Sequence, residues 1–397
     1  MPSESMNRNL SIAKAAKKDE FYTQYVDIQK EVEAYLEFDP DTFRGKVVYC
    51  NCDDPYESNF FKFLAANFNR LGLKKLITTS YDGSPIAGAQ LTFLEYDEGN
   101  GKRNKPKAMA FEIEEVKDVN GDGATGIEDV ELFLKRNPHT RTGLAEGGDF
   151  RSRECIAFLK EADIVVTNPP FSLFREYMAQ LMEHNKEFLI IGNVQAITYK
   201  EIFPLIETDK LWMGVTIHSG DREFRVPDHY PLKAAGWRVD ENGVKYIRVK
   251  GVRWYTNLDH GRRHEKLNLM SMADNLRYNK KLKGTAYNKY DNYDAIEVPF
   301  TDAIPSDYDG VMGVPITFLD KYNPEQFEIV GTTESNDPDN TLRTRVYTSR
   351  ECRDAYRERF GKPGVYDLNS SGVVNGVKVY KRVLIRHRDR PSNRRRK

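Results

Sequence analysis

The stretch Asp163-Ile-Val-Val-Thr-Asn-Pro-Pro-Phe171 limits the possible folds more than any other part of the chain. Residues 163–167 read as a short buried strand. Two successive prolines then fix φ and remove two N–H donors, so the strand must stop at Pro169 and Pro170. Ser172 to His184 has helical spacing. A strand that ends in a rigid turn and hands over to a helix belongs to a β-α-β arrangement. The same order occurs earlier. Lys46–Asn51 reads as a strand, Cys52–Ser58 as a turn, Asn59–Leu71 as a helix ended by Gly72, and Leu73–Thr79 as a second strand. Repeated strand–turn–helix units imply an α/β fold of the Rossmann-like kind, a parallel sheet with helices on both faces.

The remaining segments fill in that plan. Val26–Phe38 partly follows helical spacing and stops at Asp39-Pro40. Residues 80–145 depart from a compact α/β pattern and read as an insertion, with strands at Gln90–Tyr96 and Ala108–Val116. Arg151–Glu161 then reads as a helix, Phe188–Gly192 as a strand, Thr198–Glu207 as a short helix and Leu211–Ile217 as a strand. Gly236–Lys250 reads as a hairpin turning at Glu241-Asn-Gly243, and Gly251–Leu258 as a late strand. The expected organisation is a frayed N-terminus over 1–18, a main domain over 19–260, a Lys-, Asn- and Tyr-rich linker over 261–298, and a smaller β-rich region over 299–397. Val311–Phe318, Phe327–Val330 and Val373–Tyr380 are its β-like runs.

Charge separates the two ends of the chain. Lys+Arg and Asp+Glu both number 60. From Thr341 to Lys397, however, seventeen Lys/Arg face five Asp/Glu. A basic end on a balanced body points to an anionic partner, most often nucleic acid; a solvated tail is the alternative for Arg394-Arg-Arg-Lys397. Four irregularly spaced cysteines form neither a disulfide framework nor a zinc pattern, and fit a reducing, cytoplasmic setting. Met1 to Lys18 has no apolar core of a secretory signal. No run approaches the length of a membrane span.

Chemistry concentrates at three strand ends. Behind the two prolines, the Pro169 carbonyl and the Asn168 side-chain carbonyl are two acceptors able to hold one planar amino group and orient its lone pair. Phe171 can stack on a base that has left its duplex. Asp149-Phe150, one helix and one strand upstream, offers a carboxylate and a ring at a place where open α/β sheets bind ligands; alone, Gly-Asp-Phe is most often a turn, and its place between the β-α-β unit and Asn-Pro-Pro-Phe favours the functional reading. Asp53-Asp54-Pro55 follows the first strand without any glycine. GxGxxG and GxxxxGK[ST] are both missing, which excludes those dinucleotide and P-loop readings.

Taken together, Asp-Pro, then Asp-Phe, then Asn-Pro-Pro-Phe resembles the ordered motifs of S-adenosylmethionine-dependent DNA adenine-N6 methyltransferases, and most closely the EcoRI-type adenine methyltransferase family. Asp19-Glu-Phe-Tyr-Thr-Gln24, Val47–Pro55, Leu71–Ile77, Gly148–Ser152 and Val165–Tyr177 carry the resemblance. It implies that Tyr22, Thr23, Asp53, Asp54, Pro55, Asp149 and Phe150 bind S-adenosylmethionine, and that Asn168, Pro169, Pro170 and Phe171 are catalytic. Asp82 is the candidate for the acidic residue that holds the cofactor ribose, and Trp254 or Tyr255 for an aromatic behind the flipped base, or else for core. The resemblance further implies double-stranded DNA as partner, a basic target-recognition region over 299–397, a short palindromic site, and a cognate restriction endonuclease without implied contact. A grip of this kind would also serve an RNA adenine or a protein glutamine, and a non-catalytic DNA-binding module is the reading from another class.

One motif lies outside this scheme. Asp118-Val-Asn-Gly-Asp-Gly123, with Asp129 at loop position twelve, follows the calcium-loop pattern apart from Asp in place of the final Glu. It is either a structural calcium loop or a tight turn. Methyl transfer requires no metal, and no metal site is assigned.

Overall fold

The computed structural model describes residues 23–53, 58–81, 108–119, 121, 125–136, 141–218, 221–226, 236–282, 286–333, 341–363 and 372–388. The chain divides into two compact units. One comprises Met1–Ile202 with Leu211–His260, the other Phe203–Lys210 with Gly261–Lys397.

The first unit opens with helix α1 (Tyr25–Phe38), strand β1 (Val47–Asn51), helices α2 (Asn59–Ala66) and α3 (Phe68–Leu71), and β2 (Lys75–Thr79). There follow β3 (Met109–Ile113), α4 (Ile127–Arg136), β4 (Arg141–Gly143), α5 (Arg153–Glu161), β5 (Ile164–Thr167), α6 (Phe174–Glu183) and β6 (Glu187–Asn193). After α7 (Phe203–Glu207), which belongs to the second unit, come β7 (Trp212–Met213), β8 (Asp221–Val226), β9 (Arg238–Val239), β10 (Lys245–Lys250) and β11 (Val252–Thr256).

Eight strands form the main sheet in the order β4-β3-β2-β1-β5-β6-β11-β7. The four central strands are parallel. The flanking pairs run antiparallel, so the sheet is mixed rather than parallel throughout. β3 and β4, from within residues 80–145, extend the sheet beyond β2; Gln90–Tyr96 and Asp82 lie outside the described residues. Every residue of β1 and of β5 is buried, which requires cover on both faces. On one face Val48, Cys50 and Val166 join Phe60, Phe61 and Leu64 of α2 and Val32 of α1 in one core. On the other, Tyr49 meets Phe158 of α5 with ring centroids 6.2 Å apart. Each such buried side chain contributes on the order of 1.5–3 kcal/mol.

Local chemistry sets the element ends. Ser58 caps α2 by accepting from the N–H groups of Phe60 and Phe61, and Ser152 caps α5 through Cys155. The helix expected over Asn59–Leu71 is interrupted at Asn67 and ends in left-handed Gly72. The strand expected over Leu211–Ile217 is reduced to Trp212–Met213 for a specific reason. The backbone N–H groups of Val215 and Thr216 donate to the buried Glu31 carboxylate of α1, at 2.7 and 2.8 Å, instead of to a neighbouring strand.

The second unit contains α8 (Met272–Tyr278), β12 (Ala295–Glu297), β13 (Val311–Pro315), β14 (Phe327–Thr332), α9 (Ser349–Phe360), β15 (Gly372–Val374), β16 (Val377–Val379) and β17 (Arg382–His387). Its four-stranded sheet has the order β12-β13-β17-β14, and β15 and β16 form a separate hairpin. The single run expected over Val373–Tyr380 is this hairpin, because Asn375 and Gly376 both adopt positive φ (51° and 73°). A full capping box, Thr348 with Glu351, starts α9.

Candidate active site

The parallel strands reverse direction of growth between β1 and β5. From β1 the chain proceeds to β2 on one side, and later to β5 and β6 on the other. Ligands of open α/β sheets bind beyond the carboxyl ends of strands at such a switch point. Here those ends are Asn51–Asp53 and Thr167–Phe171.

A single hydroxyl bridges the two ends. Thr167 Oγ1 donates to the Asn51 carbonyl and lies in hydrogen-bonding contact with Asp53 Oδ2. The Ser58 hydroxyl donates to Asp53 Oδ1 at 2.6 Å, and Thr78 reaches the Asp53 carbonyl. The Asp53 carboxylate is therefore buried and oriented from both oxygens. Asn51 Oδ1 accepts from Thr79 Oγ1 at 3.2 Å. The turn lacks glycine, and Cys52 adopts the left-handed conformation (φ 69°) in its place, at a cost of about 1 kcal/mol. Thr23 is buried beside this turn, and its carbonyl accepts from Asn59 at the start of α2 over 2.7 Å. Tyr22, Asp54 and Pro55 lie outside the described residues.

Asp149 and Phe150 reach the site through Gly147 and Gly148, both at positive φ. A Cβ on Gly148 would stand 2.0 Å from the Ser80 carbonyl, so the turn rests directly on the end of β2. The Asp149 carboxylate accepts a bidentate pair of bonds from the Arg151 guanidinium, at 2.9 and 2.8 Å. The third arm of Arg151 binds Glu176 of α6 at 2.8 Å. The Asp149 hydrogen bond, together with Glu176 and against some desolvation, raises the Arg151 pKa. Phe150 is buried, edge-on to Tyr177 of α6 with centroids 5.1 Å apart, and its carbonyl accepts from Gln180 at 3.1 Å. The Asp-Phe turn and the helix that follows Asn-Pro-Pro-Phe are thus fastened at three points.

The tetrapeptide leaves β5 as expected. Pro169 is buried, while Asn168, Pro170 and Phe171 are half-buried. Phe171 begins a 3-10 turn that leads into α6, and the Pro170 carbonyl is taken by the Leu173 N–H at 2.9 Å. Gly192 on β6 lets Phe174 and Tyr255 close over it; a Cβ there would meet Phe174 at 2.6 Å and Tyr255 at 2.9 Å. Tyr255 and Trp254 are both fully buried, Tyr255 against Phe174 and Trp254 against Phe60. They are core residues, the second of the two roles open from the sequence.

Buried polar atoms around this edge without a hydrogen-bond partner among the described residues include Asn51 Nδ2, the Tyr177 hydroxyl and Thr23 Oγ1. Burial raises the Tyr177 pKa well above its usual value, and the nearby Cys52 and Asp53 side chains add to it, so the hydroxyl is neutral and able to donate. Unsatisfied buried polar groups cost about 1–3 kcal/mol each. Their grouping beside an oriented carboxylate suits a polar ligand that carries both a cationic amino group and acceptor atoms. Asn51, Ser58, Thr167, Tyr177, Arg151 and Glu176 were not singled out from the sequence. Only the strand-terminal places of Asn51 and Thr167 could have drawn notice to them.

Asp129 is fully buried, and its two oxygens accept from the backbone N–H groups of Val119 and Gly126 at 2.7 and 2.8 Å. The carboxylate at the twelfth loop position therefore fastens the loop to the start of α4. Among the described residues no cluster of three metal-ligating side chains occurs, and no helix is long and apolar enough to cross a membrane.

Comparison with known proteins agrees with this geometry. The model of the family described as adenine-specific methyltransferase EcoRI matches residues 9–388. The chain is 46% identical to the type II methyltransferase M.EcoRI of Escherichia coli over 338 residues, covering 83% of this chain and 90% of that protein. It is 34% identical to the type II methyltransferase M.MpnI of Mycoplasma pneumoniae over 380 residues, 95% of this chain and 97% of that protein. To M.MgeORF184P of Mycoplasma genitalium the identity is 35% over 380 residues, 94% and 97% of the two chains. No solved structure matches the chain. With a motif order, a switch-point site and full-length relatives in agreement, the chain belongs to the EcoRI family of adenine-specific methyltransferases and is a type II adenine-specific DNA methyltransferase.

Proposed function

We propose that the enzyme methylates N6 of an adenine turned out of duplex DNA, with S-adenosylmethionine as donor, at a short specific site and as the modifying half of a restriction–modification pair. The Thr167 bridge carries this reading. It joins the buried Asp53 carboxylate to the strand end that becomes Asn168–Phe171, so a cofactor site and an amino-group site share one edge.

S-adenosylmethionine supplies a sulfonium whose cationic methyl is open to attack by a neutral amine. Asp53 would take the cofactor's ammonium group, with Asn51, Tyr177 and Thr23 donating to its acceptors and Tyr22, Asp54 and Pro55 completing the turn. Asp149 keeps acceptor capacity beyond the Arg151 pair, because a carboxylate has about four lone-pair sites; it would accept from the amino group of the cofactor's adenine, beside Phe150. The Asn168 side-chain carbonyl and the Pro169 carbonyl would accept from the substrate amino group and turn its lone pair towards the methyl. Phe171 would stack on the extruded ring, as enzymes that act on flipped bases require. Positioning supplies most of the acceleration. The proton is lost after the nitrogen has become cationic, so no strong base is needed. The basic second unit would add phosphate and base-edge contacts.

Asn168→Ala tests the reading. Methyl incorporation into DNA should fall by about 10²–10³ or more, while duplex binding in a gel-shift or anisotropy assay stays near the parent value. Methylation of adenine at the parent rate would sink the proposed grip. Expression of the parent in a methylation-free host, followed by genome-wide mapping of modified adenines, gives the base and the site.

A further inference from the structure

One residue holds the Asp149 carboxylate at three points. Asp149 Oδ1 accepts from the Arg151 backbone N–H and from Arg151 Nε, both at 2.9 Å, and Oδ2 accepts from Arg151 Nη2 at 2.8 Å. A planar fork of this kind fixes the plane of a carboxylate as well as its place. The same guanidinium lies 5.1 Å from the centroid of the Phe150 ring, so Arg151 engages both members of the Asp-Phe pair. Its remaining arm, Nη1, donates to Glu176 Oε2 at 2.8 Å, in the first turn of α6. That turn follows directly on Asn168–Phe171. The residue before Glu176 braces it again. Arg175 stacks on Tyr199, in the segment after β6, with its guanidinium 4.4 Å from the ring centroid and its Nε 4.0 Å from Glu201 Oε2. The start of α6 is thus tied both to the Asp149 turn and to the exit of β6.

Folding stability does not account for this network. The side chains of Asp149, Arg151 and Glu176 are between 39% and 57% exposed, and ion pairs this open to solvent contribute little. The turn also has other supports. Glu154 accepts from the N–H groups of Ala145 and Glu146 at 3.1 and 2.9 Å, Ser152 caps α5, and Gly148 rests on the Ser80 carbonyl. What Arg151 adds is orientation: a carboxylate in a set plane, at a set reach from the start of α6.

We infer that Arg151 is a positioning residue for methyl transfer, which aims the Asp149 carboxylate at the cofactor's adenine and, through Glu176, sets the distance from that end of the cofactor to the Asn168–Phe171 grip; this rests on the proposed readings of Asp149 and of the tetrapeptide. Its two arms do separable work. The bidentate pair acts on binding, because a hydrogen bond to a carboxylate oxygen prefers the plane of that group. The Glu176 arm acts on rate. A misplacement of about 1 Å between methyl and nitrogen costs about 10²-fold, while the contacts of the cofactor itself are left alone.

The test compares Arg151→Ala, Glu176→Ala, Glu176→Gln and Asp149→Ala with the parent. Titration calorimetry with S-adenosylmethionine reads cofactor affinity, single-turnover methylation of a duplex carrying the mapped site reads the rate, and thermal unfolding reads stability. Arg151→Ala should weaken cofactor binding about 10-fold, as a charge-assisted contact that is no longer aimed. Glu176→Ala should keep cofactor affinity within about 2-fold of the parent and lower the single-turnover rate about 10-fold. Glu176→Gln should recover most of that rate, since its amide oxygen still accepts from Nη1. A parental rate in Glu176→Ala overturns the assignment, as does a glutamine variant as slow as the alanine one. Equal proportional losses of affinity and rate in Glu176→Ala overturn it too, because a merely structural residue behaves in that way. If Arg151→Ala fails to fold, the two Glu176 variants, at an exposed helix position, decide alone. Asp149→Ala separates this role from the reading beneath it. Parental cofactor affinity in that variant removes the proposed role of Asp149 itself. Weak binding there, with parental affinity in Arg151→Ala, removes only the role of Arg151.

Discussion

Each unit of this chain holds a partly or fully buried polar cluster, and the two are satisfied in opposite ways. In the second unit Glu297 accepts from Arg382 at 2.7 and 3.1 Å and from the Tyr290 hydroxyl. Tyr290 in turn occupies the space that a Cβ on Gly313 would need, 2.2 Å from its hydroxyl. Burial, and then the Glu297 charge, push the Tyr290 hydroxyl far up. That cluster closes on itself. At the switch point of the first unit, Asp53 is equally well held, yet Asn51 Nδ2, Thr23 Oγ1 and the Tyr177 hydroxyl around it have no partner among the described residues. A closed polar cluster specifies a fold. An open one, kept at an energetic cost beside an oriented carboxylate, is a candidate binding site.

The sharpest challenge to this contrast is Glu297→Ala. It strands the Arg382 charge, whose side chain is only 17% exposed, and should cost about 3 kcal/mol in urea unfolding. Cofactor affinity of the folded fraction should be unchanged; a specific loss of cofactor binding would show that the closed cluster is not merely structural. Glu31→Ala comes next. It frees the N–H groups of Val215 and Thr216 and should cost about 2 kcal/mol. Full burial raises the Glu31 pKa above its ordinary 4.5, against the hydrogen bonds from Thr216 and Val215 that lower it. The sign follows from a raised acid. The glutamate's contribution is complete below about pH 4.5 and declines as pH rises through the folded value. The gap between parent and variant should therefore narrow on going from pH 4 towards neutrality (about 7), and a gap that widens refutes the assignment.

Changes at the open cluster should be smaller in stability and larger in binding. Thr167→Val removes both bonds of the bridge, and about 1 kcal/mol of stability with them. Titration calorimetry with S-adenosylmethionine should show affinity reduced about 10-fold, the equivalent of 1.4 kcal/mol. Tyr177→Phe has the smallest effect. It deletes a hydroxyl without a described partner, so thermal stability should hold or rise slightly, while cofactor affinity falls by a few-fold, about 3–5. If affinity is untouched, the hydroxyl is a structural blemish and the contrast between the clusters weakens.

The tetrapeptide was legible in the sequence because its information is local: two prolines end a strand wherever they occur. The Thr167 bridge was not, because Asn51 lies 116 residues away and meets it only after β5 inserts beside β1. Arg151 and Glu176 are separated by 25 residues and by a whole strand. The missing glycine of the first turn was a puzzle in one dimension; the backbone answers it with Cys52 in a left-handed conformation. The Val373–Tyr380 hairpin could have been read, since Asn375-Gly376 is a strong turn signal. β17 is harder, because its three aliphatics, Val383 to Ile385, are flanked by Arg382 and Arg386 and suit a basic surface as well as a strand. Trp254 illustrates the opposite limit: nothing in its neighbours along the chain distinguishes a ring that stacks on a base from one packed against Phe60.

Gly148 has a bearing on how this protein can change over time. Its α-hydrogen sits where the smallest possible side chain would collide with the Ser80 carbonyl. Every replacement available to a gene adds at least that carbon. The position therefore admits no graded series of weaker or stronger alleles; a change there pushes the Asp149 turn off the end of β2 all at once. For an enzyme whose failure would leave its own genome unmarked, that is a point at which drift has no small steps to take.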